Sequence, residues 1–392
     1  MNKKLSQMIT LFTCFILILV TFSGCVEEEQ KNNESKELLN PDVKLDQASI
    51  LPDWKDGEYH DYYGTTEMLN DFNEKYPDLV YVFSIGKSVL GKDIWCIRIT
   101  NEKNNEIKSS CLIDGCIHGC EWEAGEACLY LAEYLIINFD ANETITHILN
   151  SSEIYLVPLV NPDGRQIEKL QYQGNDNGVD LNRNFDVFFG RIRSNCYRLG
   201  KLFSRIKIPY IKTYPNDPSK WWRNCGKFAF SESETKAIRD FMKSLDYRNF
   251  SFYLNCHTAW HNIITPIPWS KWILKPPFKI LNKEKELFDY VKNWVEINTE
   301  YEAYRAETNN IGGCAMDWCF KEFHIPTFIF EILSLDYDPW YGEQKHDHLA
   351  HWMKTTIPVF MYLLVNIENL YNWETPDIQP SLPEGVPPEP LK

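Results

Sequence analysis

Four short apolar runs constrain this chain more than any other feature of its sequence. Residues 109–119 (SSCLIDGCIHG) run into His118, 152–164 (SEIYLVPLVNPDG) into Asp163, and 249–257 (NFSFYLNCH) into His257, while 325–333 (IPTFIFEIL) carry Glu331 inside them. Runs this short and this continuously apolar read as strands buried on both faces. Helical patterns lie between them, at 123–139 (EAGEACLYLAEYLIINF), 231–245 (SESETKAIRDFMKSL) and 284–298 (EKELFDYVKNWVEIN). The second opens on SESE, which offers capping chemistry to a helix N-terminus. Strands alternating with helices predict an α/β fold around a mixed, mainly parallel sheet. Ligands in such folds gather beyond the carboxyl ends of the strands, and His118 and His257 stand where that rule expects a site.

The flanks differ from this central part. Lys3 and Lys4 precede an apolar run, residues 8–24, that ends in FSG directly before Cys25. That is the pattern of a secretory signal, here of the lipoprotein type, so residues 1–25 are expected to be a signal segment with Cys25 as the lipid-bearing residue. Residues 26–49 are charged, amide-rich and without aromatic side chains, an acidic flexible tether. Residues 374–392 form a proline-rich tail. One domain, residues 50–373, lies between. The expected location is extracytoplasmic, held to the membrane through the N-terminal anchor. With a formal net charge of −15, no nucleic-acid partner is expected. The cysteines would then face a disulfide-permissive side of the membrane, and a bridge between Cys196 and Cys225 is expected to close the aromatic and basic stretch they flank.

The stretch CIHGCEWE, residues 116–123, concentrates metal-binding side chains. His118 and Glu121 are three apart, so on a helix or tight turn they share a face and can meet one cation. Two histidines and one glutamate form a known catalytic zinc set that leaves a position for water. The third ligand must come from elsewhere, and His257 and His261 compete for that role. Cys116 and Cys120 read as small buried thiols. His346, His348 and His351 read as a solvated helix face.

Taken in order, HGCEWEAGE, NPDG, GVDLNRNF, FSESET, NCHTAW, GGCAMDW and FIFEI resemble the zinc metallocarboxypeptidases of the carboxypeptidase A type. The similarity begins near Tyr62 and runs to roughly residue 371. It implies a mixed twisted sheet with helices on both faces in a single domain, and one zinc ion per chain. By the resemblance the metal ligands are His118, Glu121 and His257, and Glu331 is the general base. Asp180 matches the carboxylate that orients the first histidine, and Asn182 and Arg183 match the pair that holds a substrate's terminal carboxylate. Met316 matches the floor of the side-chain pocket. The implied reaction is hydrolysis of the C-terminal peptide bond of peptides or proteins, with apolar or aromatic end residues preferred. A hydrolase of cell-wall peptides or N-acyl amino acids, and a zinc-bearing peptide-binding lipoprotein without turnover, are the alternatives; a binder has no need of a base at position 331. Three departures stand out. Cys120 and Gln173 replace arginines usual in the family, and no active-site tyrosine is evident among Tyr304, Thr308, Asn309 and Asn310.

Overall fold

The apolar runs form strands at the expected places. A computed structural model describes residues 49–165, 174–187, 189, 224–245, 249–258, 260–266, 282–305, 312–332 and 348–371, all within one compact unit, residues 39–392. The expected signal segment, the tether up to residue 48, and the tail lie outside the described residues. Among those described, no helix is long and apolar enough to cross a membrane.

The strands are β1 (Val80–Lys87), β2 (Asp93–Ile99), β3 (Ser109–Asp114), β4 (Ser152–Val157), β5 (Phe250–His257), β6 (Asn262–Thr265), β7 (Glu302–Arg305) and β8 (Thr327–Glu331). They form one sheet in the order β1-β2-β4-β3-β5-β8-β6-β7. The run β4-β3-β5-β8 is parallel throughout, while β1, β2 and β6 supply antiparallel neighbours. The sheet is therefore mixed and mainly parallel, as predicted. All eight residues of β5 are buried, which requires cover on both faces of the sheet at its centre. Tyr253 and Asn255 point to one face. Cys256 points to the other, where it meets Cys128 of helix α2.

The helices are α1 (Tyr62–Lys75), α2 (Trp122–Asn138), α3 (Glu143–Ser151), α4 (Ser233–Ser244), α5 (Asn282–Asn298), α6 (Ala315–Phe323), α7 (Leu349–Val365) and α8 (Ile367–Tyr371). In α2 every residue except Glu133 and Ile137 is buried, as befits a helix that is apolar nearly all round. The expected capping at SESE is not what the structure shows. The residue preceding α4 is Glu232, and it makes no side-chain cap. Its carboxylate instead accepts from the amides of Asn175 and Asn177, both at 2.8 Å.

An N-terminal arm, residues 50–60, lies along α2. The Asn138 amide donates to Ile50 O (2.7 Å) and the Tyr130 hydroxyl to Pro52 O (3.2 Å). Trp54 Nε1 donates to Glu133 (2.7 Å), Tyr59 to Glu123 (2.8 Å), and the His60 backbone to Glu126 (2.8 Å). Those partners recur at helical spacing, so the arm tracks one stripe of the helix. Arg165, itself buried, joins Glu126 at 2.6 Å and stacks over the Trp122 ring at 4.1 Å.

His60 Nδ1 lies 2.7 Å from Glu126. The hydrogen bond to Glu126 raises the His60 pKa, against burial and against Arg165, with Glu133 helping. A raised folded-state pKa stabilises the fold fully below the unfolded value, and that contribution is lost as pH rises through the folded one. The stability gap between wild type and His60→Ala should be widest below about pH 6.5, the ordinary histidine value, and narrow as the pH rises above it through the raised folded-state value. Urea titrations at several pH values measure it; a gap that does not change with pH would refute the pairing.

Candidate metal centre

The turn that follows β3 brings the first two donors together. Glu121 N donates to His118 O at 3.1 Å, closing a tight turn, and the Cys116 thiol donates to Glu121 O at 3.1 Å. Gly119 is required here, because a Cβ on it would stand 2.3 Å from the Gly164 backbone. The NPDG motif thus serves as the floor beneath the turn. Its Asp163 is buried and accepts from Leu90 N at 2.9 Å, a structural duty. Glu121 is the N-cap of α2 yet makes no cap hydrogen bond, since its carboxylate is committed elsewhere.

That commitment is to two imidazoles. His118 Nδ1 lies 2.7 Å from Glu121 Oε1, and His257 Nδ1 lies 2.7 Å from Glu121 Oε2. The ring centroids are 5.0 Å apart. One ligand atom from each of the three residues falls within 4.8 Å of the others, and all three residues are buried. The far nitrogen of each ring is also engaged: His118 Nε2 faces Asp180 Oδ1 at 3.0 Å, and His257 Nε2 faces Asn255 Oδ1 at 2.6 Å. Held this way, both rings turn Nδ1 towards a common point, and two imidazole nitrogens with one carboxylate oxygen suit zinc. Burial depresses His118, but Glu121 and Asp180 outweigh it and raise its pKa. His257 goes the other way, lowered by burial that Glu121 only partly offsets. Burial raises Glu121, and the two histidines more than reverse this. A bound cation would take the place of the ring protons facing that carboxylate.

Glu331 sits beside this cluster by strand register. In the parallel β5–β8 pair, His257 is opposite Glu331. Glu331 is 9 % exposed, and Oε2 has no hydrogen-bond partner among the described residues. Burial first, then the Glu121 charge, push its pKa well above the usual carboxylate range. Asn182 and Arg183 lie on a single 3-10 turn, Leu181–Arg183. Asn182 Oδ1 accepts from Ala315 N at 2.8 Å, which ties this turn to the start of α6. Gly313, at φ +90°, packs so closely that a Cβ would stand 2.0 Å from Arg183 O. Arg183, partly exposed, reaches Asp180 at 3.7 Å. Met316, in the first turn of α6, is buried with Ile264, Cys314 and Ile329. Ile329 is two residues before Glu331, on the same face of β8.

The residues singled out from sequence therefore converge. His257, not His261, joins His118 and Glu121: His261 has φ 50° and packs its ring on Tyr301 and Trp352. Cys116 and Cys120 are buried and are not among the grouped donors. His351 is exposed, 3.6 Å from Glu300. Gln173, Thr308, Asn309, Asn310, Cys196 and His346 lie outside the described residues, as does the side chain of Tyr304. Asn255 was not anticipated; the available signal was a polar residue interrupting an apolar run two positions before His257.

The chain matches the zinc carboxypeptidase family over residues 65–338. It is 24% identical to carboxypeptidase A1 of Bos taurus over 285 residues, covering 69% of this chain and 62% of that protein. It is 25% identical to carboxypeptidase O of Bos taurus over 236 residues, 57% of this chain and 56% of that one. The chain thus spans only about three-fifths of these curated relatives. Among solved structures, the fold resembles thrombin activatable fibrinolysis inhibitor with a TM-score of 0.62 at 19% identity, covering 79% of this chain and 74% of that one. The carboxypeptidase A of Helicoverpa armigera gives 0.61 at 18% identity, covering 81% and 74%.

His257→Ala should abolish stoichiometric zinc uptake, whereas His261→Ala should retain it. Elemental analysis of the purified variants after dialysis against zinc decides this, and the reverse pattern would overturn the donor assignment.

Proposed function

The chain belongs to the zinc carboxypeptidase family, and from that premise we propose that it is a zinc-dependent exopeptidase that hydrolyses the C-terminal peptide bond of peptides or proteins, with apolar or aromatic end residues preferred. The observation that carries the reading is the placement of Glu331 one strand from His257, beside three converging donors. In this reading His118, Glu121 and His257 hold the metal. Bound there, zinc supplies Lewis acidity, lowering the pKa of the attacking water and polarising the scissile carbonyl.

The remaining work falls to the protein's side chains. Glu331 takes the proton of the attacking water on its carboxylate and returns it to the leaving amine. Arg183, whose planar fork can bond both oxygens of a carboxylate, and Asn182 beside it receive the chain end. That contact selects the terminal bond over internal ones. Asp180 holds the His118 ring, and the pull of Arg183 and His118 overcomes burial to keep the Asp180 carboxyl ionised. The lipoprotein-type signal supports placing the enzyme outside the cytoplasm, anchored at Cys25.

Glu331→Gln should keep zinc but lower kcat by about 10²–10⁴-fold, because the amide fills the same space without accepting a proton. Mass spectrometry of a peptide mixture, with and without a chelator, reads the products. Loss of single C-terminal residues supports the reading, and zinc-dependent binding without cleavage points to a binding protein.

Specificity follows from Met316. The cluster of Met316, Ile264, Cys314 and Ile329 is apolar, and burying a charge unpaired among such side chains costs several kcal/mol. In a peptide series differing only at the last residue, Phe and Leu should be released with kcat/KM about a hundredfold or more above Arg and Lys. Faster release of the basic residues would place the pocket elsewhere.

A further inference from the structure

We propose that Asn255, locked in orientation by Asp114, is a positioning residue for the metal centre: when a cation replaces the proton that faces Glu121, it keeps the remaining His257 ring proton on Nε2 and so leaves Nδ1 as the lone-pair donor. The inference rests on the metal reading given above.

Side chains alternate between the faces of a strand, so Tyr253, Asn255 and His257 share one face of β5. The parallel register sets Asp114 of β3 beside Asn255. Asn255 Nδ2 donates to Asp114 Oδ1 at 2.6 Å, and the Tyr253 hydroxyl donates to Asp114 Oδ2 at 2.9 Å. Asn255 Oδ1 then lies 2.6 Å from His257 Nε2. The four side chains form one continuous chain of hydrogen bonds, and all four residues are buried.

The direction of that chain matters. An asparagine amide has nearly the same outline with its oxygen and nitrogen exchanged, so its neighbours must set the orientation. Asp114 receives donors on both oxygens, which turns the Asn255 amino group to Asp114 and its carbonyl to the ring. A carbonyl only accepts, so once a cation has replaced the proton between Nδ1 and Glu121, Nε2 carries the ring hydrogen. Burial raises Asp114 to about 7 even with the bonds from Asn255 and Tyr253 pulling the other way, so the accepting carboxylate prevails above that pH.

A second contact offers the opposite instruction. Asn182 Nδ2 lies 3.2 Å from the same ring nitrogen, and its amino group is turned there because Ala315 N donates to Asn182 Oδ1. An N–H on the ring and an amide N–H cannot donate to each other. The contact with Asn255 is shorter by 0.6 Å and offers an acceptor, so it determines the tautomer. The Asn182 amino group is then left to the incoming substrate carboxylate. The two ligand histidines are thus held by different means: a carboxylate, Asp180, for His118, and a neutral amide backed by a buried carboxylate for His257.

The test measures zinc affinity of the full chain by competition with a chromophoric chelator, across a range of pH, alongside circular dichroism. Asn255→Leu keeps the approximate volume and removes the acceptor; it should weaken zinc binding about 10–100-fold. Exchanging the two groups, Asn255→Asp together with Asp114→Asn, restores an acceptor beside the ring and a donor behind it. This double variant should recover zinc affinity to within a few-fold of wild type, which a merely space-filling role for Asn255 does not predict. Wild-type affinity in a folded Asn255→Leu chain would falsify the proposal, as would a folded double variant that binds zinc no more tightly than Asn255→Leu. Wild-type chain that takes up no stoichiometric zinc overturns the metal reading and this inference with it. Normal uptake that His257→Ala abolishes and Asn255→Leu leaves intact overturns this inference alone.

Discussion

One buried carboxylate organises the centre of this molecule. Glu121 meets His118 with one oxygen and His257 with the other, both at 2.7 Å. An isolated carboxylate in such a place would carry a large desolvation penalty, and the geometry around it consists of compensations. The turn is closed by Gly119 against Gly164, and α2 forgoes its cap. Each imidazole is braced from behind. The parallel pairing of β5 with β3 sets the brace behind His257, and its pairing with β8 on the other side sets Glu331 beside the same ring.

Much of this was legible in the sequence, for identifiable reasons. The strands at 109–114, 152–157, 250–257 and 327–331 were readable because a strand covered on both faces has no need of alternation and shows up as an unbroken apolar run. The i, i+3 spacing of His118 and Glu121 was readable because a tight turn puts both on one side. The choice between His257 and His261 was not a matter of spacing. It depends on the backbone turning through φ 50° at His261, which sends that ring onto Tyr301 and Trp352, and only the ordered resemblance of the motifs indicated it beforehand.

What stayed illegible was contact between distant segments. Nothing in the local sequence says that the arm at 50–60 lies along α2, or that Arg165 reaches Glu126. Asn255 is locally no more than a polar residue in an apolar run, and its meaning depends on Asp114 standing beside it on another strand. Glu232 shows the same limit from the other side. SESE reads locally as a cap, but Asn175 and Asn177 claim that carboxylate, and long-range hydrogen bonds to a buried group outweigh a local propensity.

The parallel pairing of β3 with β5 also bears on how the chain reaches this state. It joins Asp114 to Asn255 across 141 positions, and Glu121 to His257 across 136. Contacts of that separation form late, because the entropy of closing so long a loop must be met before they return anything. The third candidate donor, His257, is therefore far from His118 and Glu121 in the unfolded chain and in any early, locally structured one. A zinc ion at this triad would lack its third donor until the central strands are aligned, so its binding energy would belong to the finished fold. An ion of that kind would slow unfolding far more than hasten folding, and would act as a lock on the completed sheet.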